Sequence, residues 1–125
     1  MAFPMTRMRR ARRTRFARNL MRENALRPSD FIYPVFVLER ADATEDVPSM
    51  PGVQRQGLKP LLGTCERMLE LGIPAIALFP VISSEFKSET AEAAWAEDGL
   101  VPNTVREIKQ RFPELGVITD VALDP

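Results

Sequence analysis

The chain alternates between apolar runs and polar connections, and the apolar runs come in two kinds. FIYPVFVL at 31–38 is a continuous apolar run rich in aromatic and β-branched residues, which predicts a strand buried on both faces. Pro34 inside it counts against a central position, because proline cannot donate to the sheet ladder. IPAIALFPVI at 73–82 predicts a second buried strand that Pro80 should bend or end, and VITDVAL at 117–123 predicts a third. Between them the spacing changes to helical. Lys59 to Leu71 places Leu61, Leu62, Cys65, Met68 and Leu69 on one face, with Pro60 in the first turn and Gly72 as the stop. Thr104 to Glu107 matches the capping-box pattern and predicts a helix carrying Val105, Ile108 and Phe112, closed by Leu115 and Gly116. Residues 40–58 read as a long connection with acidic residues and the turn segment Pro48 to Gly52, and 83–102 as a polar excursion with a short helix near Ser88 to Ala96.

The order strand, helix, strand, helix, strand implies a parallel sheet with helices outside it. Strand starts lie about 42 and 44 residues apart in this reading, against ~31 residues per unit in a 250-residue β/α barrel. Extra loop material is therefore implied. No helix signal follows Asp124, and three parallel strands leave long exposed edges. The fold expected is α/β, the amino-terminal part of a (β/α)₈ barrel that further polypeptide completes, preceded by an extended basic arm.

Charge sharpens the boundary of that arm. Residues 1–30 carry nine arginines against Glu23 and Asp30, a local charge of +7, whereas residues 31–125 carry eight basic and fifteen acidic side chains, −7. Phe16, Leu20 and Met21 suit only a narrow helical stripe, with Asn24 and Pro28 at its end. So few apolar groups do not offset the entropy of ordering thirty residues. Residues 1–30 are thus expected to be an assembly arm and 31–125 the barrel body, the arm's partner being the acidic body of a neighbouring copy. Nucleic acid is the rival partner for clustered guanidiniums, but Phe16 is the arm's sole aromatic between Arg7 and Arg27 and no recognition motif accompanies it. A transit peptide would be richer in serine. A single Cys65 and no histidine fit a reducing compartment and remove the commonest zinc ligand from this stretch. No apolar run nears the ~20 residues of a membrane helix.

In parallel α/β folds ligands bind at the carboxyl ends of strands, here Leu38 to Arg40, Phe79 to Ser84 and Asp120 to Asp124. Alternation puts Asp120 and Asp124 on one side of their strand. Two carboxylates there could orient an amine, hold a hard cation or tune a neighbour, or an aspartate could simply cap the following turn. Schiff-base chemistry needs a desolvated lysine. Lys59 and Lys109 fall on predicted helices and Lys87 sits among Glu85, Ser88 and Glu89, so none is expected to be a nucleophile.

These segments together resemble the porphobilinogen synthase (delta-aminolevulinic acid dehydratase) family. The resemblance rests on RRARR, on Arg22, Glu23, Asn24 and Leu26, on FIYPVFVLE, on Pro48 to Val53 with Arg55, on LGIPAIALFPV, on Lys87, on Asp98 to Val101, and on RFPELGVITDVALDP. It implies a (β/α)₈ barrel whose arm wraps a neighbouring subunit, usually in octamers, and the condensation of two 5-aminolevulinate molecules into porphobilinogen. It also implies that two Schiff-base lysines lie downstream, so that this chain alone is inactive. By the same resemblance Asp120 matches an active-site carboxylate and Phe79 a residue packed by the active site. Zinc-dependent relatives carry cysteines where this chain has Ala122 and Asp124. The resemblance therefore implies the aspartate-type branch, with Asp124 as a metal-site residue, magnesium in place of zinc, and a cytoplasmic location. A different Schiff-base barrel, such as an aldolase, is the rival reaction; DVALDP together with the arm argues against it.

Overall fold

The structure, a computed structural model, describes residues 4–6 and 9–120. After two short helical turns in the arm, a 3₁₀ turn at Arg10–Arg12 and helix α1 at Arg15–Leu20, come β1 (Ile32–Leu38), β2 (Thr44–Asp46), β3 (Gln54–Gln56) and α2 (Leu58–Leu71). They are followed by β4 (Ala75–Val81), α3 (Glu92–Trp95), α4 (Leu100–Arg111) and β5 (Gly116–Thr119). The five strands form one sheet in the order β2-β3-β1-β4-β5. β1, β4 and β5 are parallel neighbours, as the apolar runs predict, and β3 also joins β1 in parallel. β2 pairs with β3 antiparallel, so the sheet is mixed, and it is open, as a partial barrel must be.

Helices α2 and α4 cover one face. Leu61, Cys65 and Met68 of α2 and Ile108 of α4 pack on Val35, Val37, Ile76 and Leu78 of the strands, with Leu115 closing the cluster. The spacing of 61, 65 and 68 explains why this sequence is helical: one stripe meets the sheet while Glu66, Arg67 and Glu70 stay exposed. Gly72 ends α2 in a Schellman arrangement at φ 77°, its N–H donating to Leu69 O at 3.0 Å while Ile73 N–H reaches Met68 O at 2.9 Å.

Several expectations need correction. The strands are not buried on both faces: burial alternates, and Ile32, Phe79 and Ile118 stand 55%, 39% and 44% exposed on the face without helices. Residues 40–58 are more than a connection, since β2 and β3 form a hairpin there. α4 starts at Leu100 after an extended Gly99, not at Thr104. Thr104 is buried in the helix and its hydroxyl donates to Leu100 O at 2.7 Å, so the capping-box pattern is coincidental. The helix ends at Arg111, four residues before Leu115. The strand that carries Pro80 ends one residue later, at Val81. Pro34 is tolerated within β1 because β3 meets that strand only from Phe36 onward, leaving one side of Pro34 without a neighbouring strand. In the arm, Phe16, Leu20 and Met21 are 69%, 78% and 64% exposed, so the narrow stripe stays largely uncovered among the described residues. No helix among the described residues is long and apolar enough to cross a membrane.

Candidate active site

The register of the sheet decides which side chains can meet. Paired residues on neighbouring strands share a face. Phe36 of β1 pairs with Arg55 of β3 on one side and with Phe79 of β4 on the other. Arg55 in turn pairs with Glu45 of β2. The last pair between β4 and β5 is Leu78 with Thr119, so one further step along both strands sets Asp120 beside Phe79. Val35 and Val37 flank Phe36 and point into the helical core. The row Glu45, Arg55, Phe36, Phe79, Asp120 therefore lies on the face without helices, near the carboxyl ends of the parallel strands.

Within the row the rings of Phe36 and Phe79 lie 6.3 Å apart at 52°, a tilted contact that holds both against the sheet. Arg55 Nη1 lies 3.8 Å from Glu45 Oε2, a loose pair, while Arg40 engages the other Glu45 oxygen closely. Asp120 is exposed at the strand end. Chemically the row runs from the Glu45–Arg55 pair, through an apolar wall, to the Asp120 carboxylate.

Phe79 and Asp120, two of the residues expected from the sequence, are thus brought together. Asp124 and Ala122 lie outside the described residues, and so does the expectation that Asp120 and Asp124 face the same way. Lys59 pairs with Asp42 at 2.6 Å on the surface. Lys109 donates to Pro113 O and Leu115 O at 2.5 and 2.9 Å, tying off the carboxyl end of α4. Lys87 lies exposed in the connection after β4 and has no ion pair among the described residues. None of the three lysines is desolvated.

The connection after β4 is tied to itself. Ser88 and Thr90 both hydrogen-bond the Glu92 carboxylate, which holds its carboxyl below the usual range, and Trp95 Nε1 donates to Thr90 O at 3.2 Å. Cys65 sits on the opposite, helical side, and burial pushes its thiol up to about 11. It offers no thiolate to a metal at the strand ends. Among the described residues no group of three or more His, Cys, Asp or Glu could hold a metal ion.

Phe36, Arg55 and Glu45 were not anticipated as site residues. Phe36 sits in the first apolar run, but only the cross-strand register shows that it adjoins Phe79. Arg55 and Glu45 lie in polar triplets that carry no strand signal.

Comparison with known proteins gives a consistent picture. The family model described as Delta-aminolevulinic acid dehydratase matches residues 5–125. Delta-aminolevulinic acid dehydratase of Bradyrhizobium diazoefficiens is 42% identical over 119 residues, covering 95% of this chain and 34% of the relative. The chloroplastic enzyme of Glycine max is 38% identical over 122 residues, covering 95% of this chain and 29% of the relative. Among solved structures, delta-aminolevulinic acid dehydratase (porphobilinogen synthase) of Toxoplasma gondii ME49, in complex with its reaction product porphobilinogen, superposes with a TM-score of 0.84 at 39% identity. That match covers 94% of this chain and 33% of the other. The chain spans about a third of the length of the relatives it matches.

Proposed function

The chain belongs to the delta-aminolevulinic acid dehydratase family, and from that premise we propose that it supplies the first strands of a porphobilinogen synthase barrel. In the full-length enzyme two 5-aminolevulinate molecules condense to porphobilinogen with loss of two waters, a step of tetrapyrrole synthesis. The observation that supports this most is the end-to-end match together with the product-bound relative of the same fold.

This chain's own contribution is one wall of the site. Phe79, braced by Phe36, forms an apolar surface that excludes water from one side of the substrates. Asp120, beside it, orients a substrate amine or takes up a proton from it in the condensation. Covalent attachment of the substrates as Schiff bases is assigned to lysines other than Lys59, Lys87 and Lys109, so the 125-residue chain by itself is inactive. Magnesium is the metal proposed, with Asp124 as a ligand and Ala122 excluding the thiolate set that zinc needs. When bound, the cation supplies positive charge near the strand ends. Residues 1–30 act as the assembly arm on a body formed by 31–125, building a homo-octamer in the cytoplasm.

Full-length protein given 5-aminolevulinate should form porphobilinogen, and the 125-residue chain should form none. Asp120→Asn should lower kcat by about 10²- to 10⁴-fold, the range for loss of a positioned acid or base. A zinc-selective chelator should leave the rate unchanged while magnesium alters it. Loss of activity on zinc removal alone would contradict the metal assignment.

A further inference from the structure

We propose that a groove on the amino-terminal arm is a binding site for an oligophosphate chain, a use of the arm separate from the condensation reaction. The groove has a volume of about 640 Å³, and its polar lining is Arg12, Arg15, Arg18, Asn19, Arg22 and Glu23. Arg15 and Arg18 lie one turn apart on α1, so their stems leave the same face of the helix. Arg12 comes from the 3₁₀ turn before α1, and Arg22 from just beyond its end. Four guanidiniums thus face one carboxylate, and no ion pair among the described residues involves any of the four. An anion that enters relieves their mutual repulsion. To meet guanidiniums from successive turns it must repeat its charge along its length, which a chain of phosphoryl groups does and a lone carboxylate does not.

The walls of the groove are tied together. Arg18 Nη1 donates to Arg12 O at 3.1 Å and to Arg13 O at 3.4 Å, which holds the 3₁₀ turn against α1. These bonds occupy one nitrogen of the guanidinium, so its other edge keeps donors for a forked contact with phosphate oxygens. Asn19 adds an amide donor. No aromatic ring lines the groove, Phe16 included, so nothing in it stacks a base. That favours the phosphoryl chain itself over single-stranded nucleic acid as the occupant.

The test is a calorimetric titration of full-length protein with inorganic triphosphate, in magnesium-free buffer at about 0.1 M ionic strength. Arg15→Gln combined with Arg22→Gln should weaken binding about tenfold or more. Arg9→Gln combined with Arg10→Gln removes the same charge from the arm outside the groove and should weaken it less than about threefold. Glu23→Gln, which neutralises the one acid in the lining, should tighten binding about twofold or more. ATP run in parallel separates the two sources of the chain: an affinity equal to that of triphosphate assigns the site to the bare chain, and a tighter one to a nucleotide. Undetectable triphosphate binding by wild type overturns the proposal. Equal losses in the two double variants also overturn it, since they mean a diffuse cloud of arm charge, and so does an unchanged affinity in Glu23→Gln. Oligouridylate that outcompetes triphosphate at equal phosphate concentration would replace the site by a nucleic-acid surface. The contact proposed between the arm and a second copy draws on the same guanidiniums, so bound triphosphate should lower the sedimentation mass at constant ionic strength. Binding with an unchanged mass would overturn that contact and leave the site standing.

Discussion

At the scale of single residues, the two faces of the sheet impose opposite chemistry. Cys65 has no exposed surface and sits in the hydrophobic cluster under the sheet, so burial favours the neutral thiol and its pKa rises to about 11. In the unfolded chain the same thiol titrates near ~8.5. The folded state therefore holds the proton more tightly, and the resulting stability is fully present below about pH 8.5 and is lost as pH rises through about 11. Urea unfolding of wild type between pH 8 and 11 should show this decline, and Cys65→Ala should lack it while losing roughly 1–2 kcal/mol at pH 7 through the vacated space. Iodoacetamide should leave the folded thiol unlabelled at pH 8. Across the sheet, Asp120 and Phe79 could be picked from the sequence because ligands gather at strand ends. Arg55 could not, because its value depends on lying two strands from Phe79, and register between distant segments is not written in either segment alone.

At the scale of elements, legibility follows the size of the apolar signal. β1, β4, α2 and most of α4 announce themselves through long runs or a repeated stripe. β2 and β3 read Thr-Glu-Asp and Gln-Arg-Gln, three polar residues each, and exist because β1 offers Phe36 and Val37 as a template while a turn returns the chain. The hairpin's attachment to α2 is equally tertiary. A Cβ added at Gly57 would fall 2.0 Å from Arg40 O and 2.6 Å from Ala41 O, both backbone atoms that cannot swing aside. Gly57→Ala should therefore cost about 3 kcal/mol or more. Gly63, within α2, meets nothing within 4 Å of an added Cβ. Gly63→Ala should stabilise by about 0.5–1 kcal/mol through helix propensity. Denaturant midpoints of the two variants should move in opposite directions. Equal shifts would mean that glycine flexibility, and not the close approach of the β1 connection, governs this corner.

At the scale of the whole molecule, the parallel order of β1, β4 and β5 was readable because two crossovers with a helix each leave few other topologies. Residues 1–30 stand apart in the sequence chiefly through an imbalance of charge, which the described residues leave without an ion pair. All four ion pairs among the described residues lie between positions 40 and 70, and none involves an arm arginine. Arg12, Arg15, Arg18 and Arg22 instead line an open groove of about 640 Å³ with Glu23 its sole acid, and Arg18 donates to Arg12 O at 3.1 Å. Like charges held this close repel one another, and the proposed source of relief is the body of a second copy, with its fifteen acidic side chains. Association through the arm should then be electrostatic at its entry stage. Replacing Arg12, Arg15, Arg18 and Arg22 by glutamine in the full-length protein should lower the sedimentation mass at a fixed micromolar concentration. Raising salt from 50 to 500 mM should do the same to wild type, because screening lengths shrink below the ~10 Å they have at 0.1 M. The glutamine variant should respond much less to salt, since its interface has already lost those charges. A wild-type mass that ignores salt, together with a variant that assembles normally, would mean that the exposed Phe16, Leu20 and Met21, and not the arginines, carry the contact.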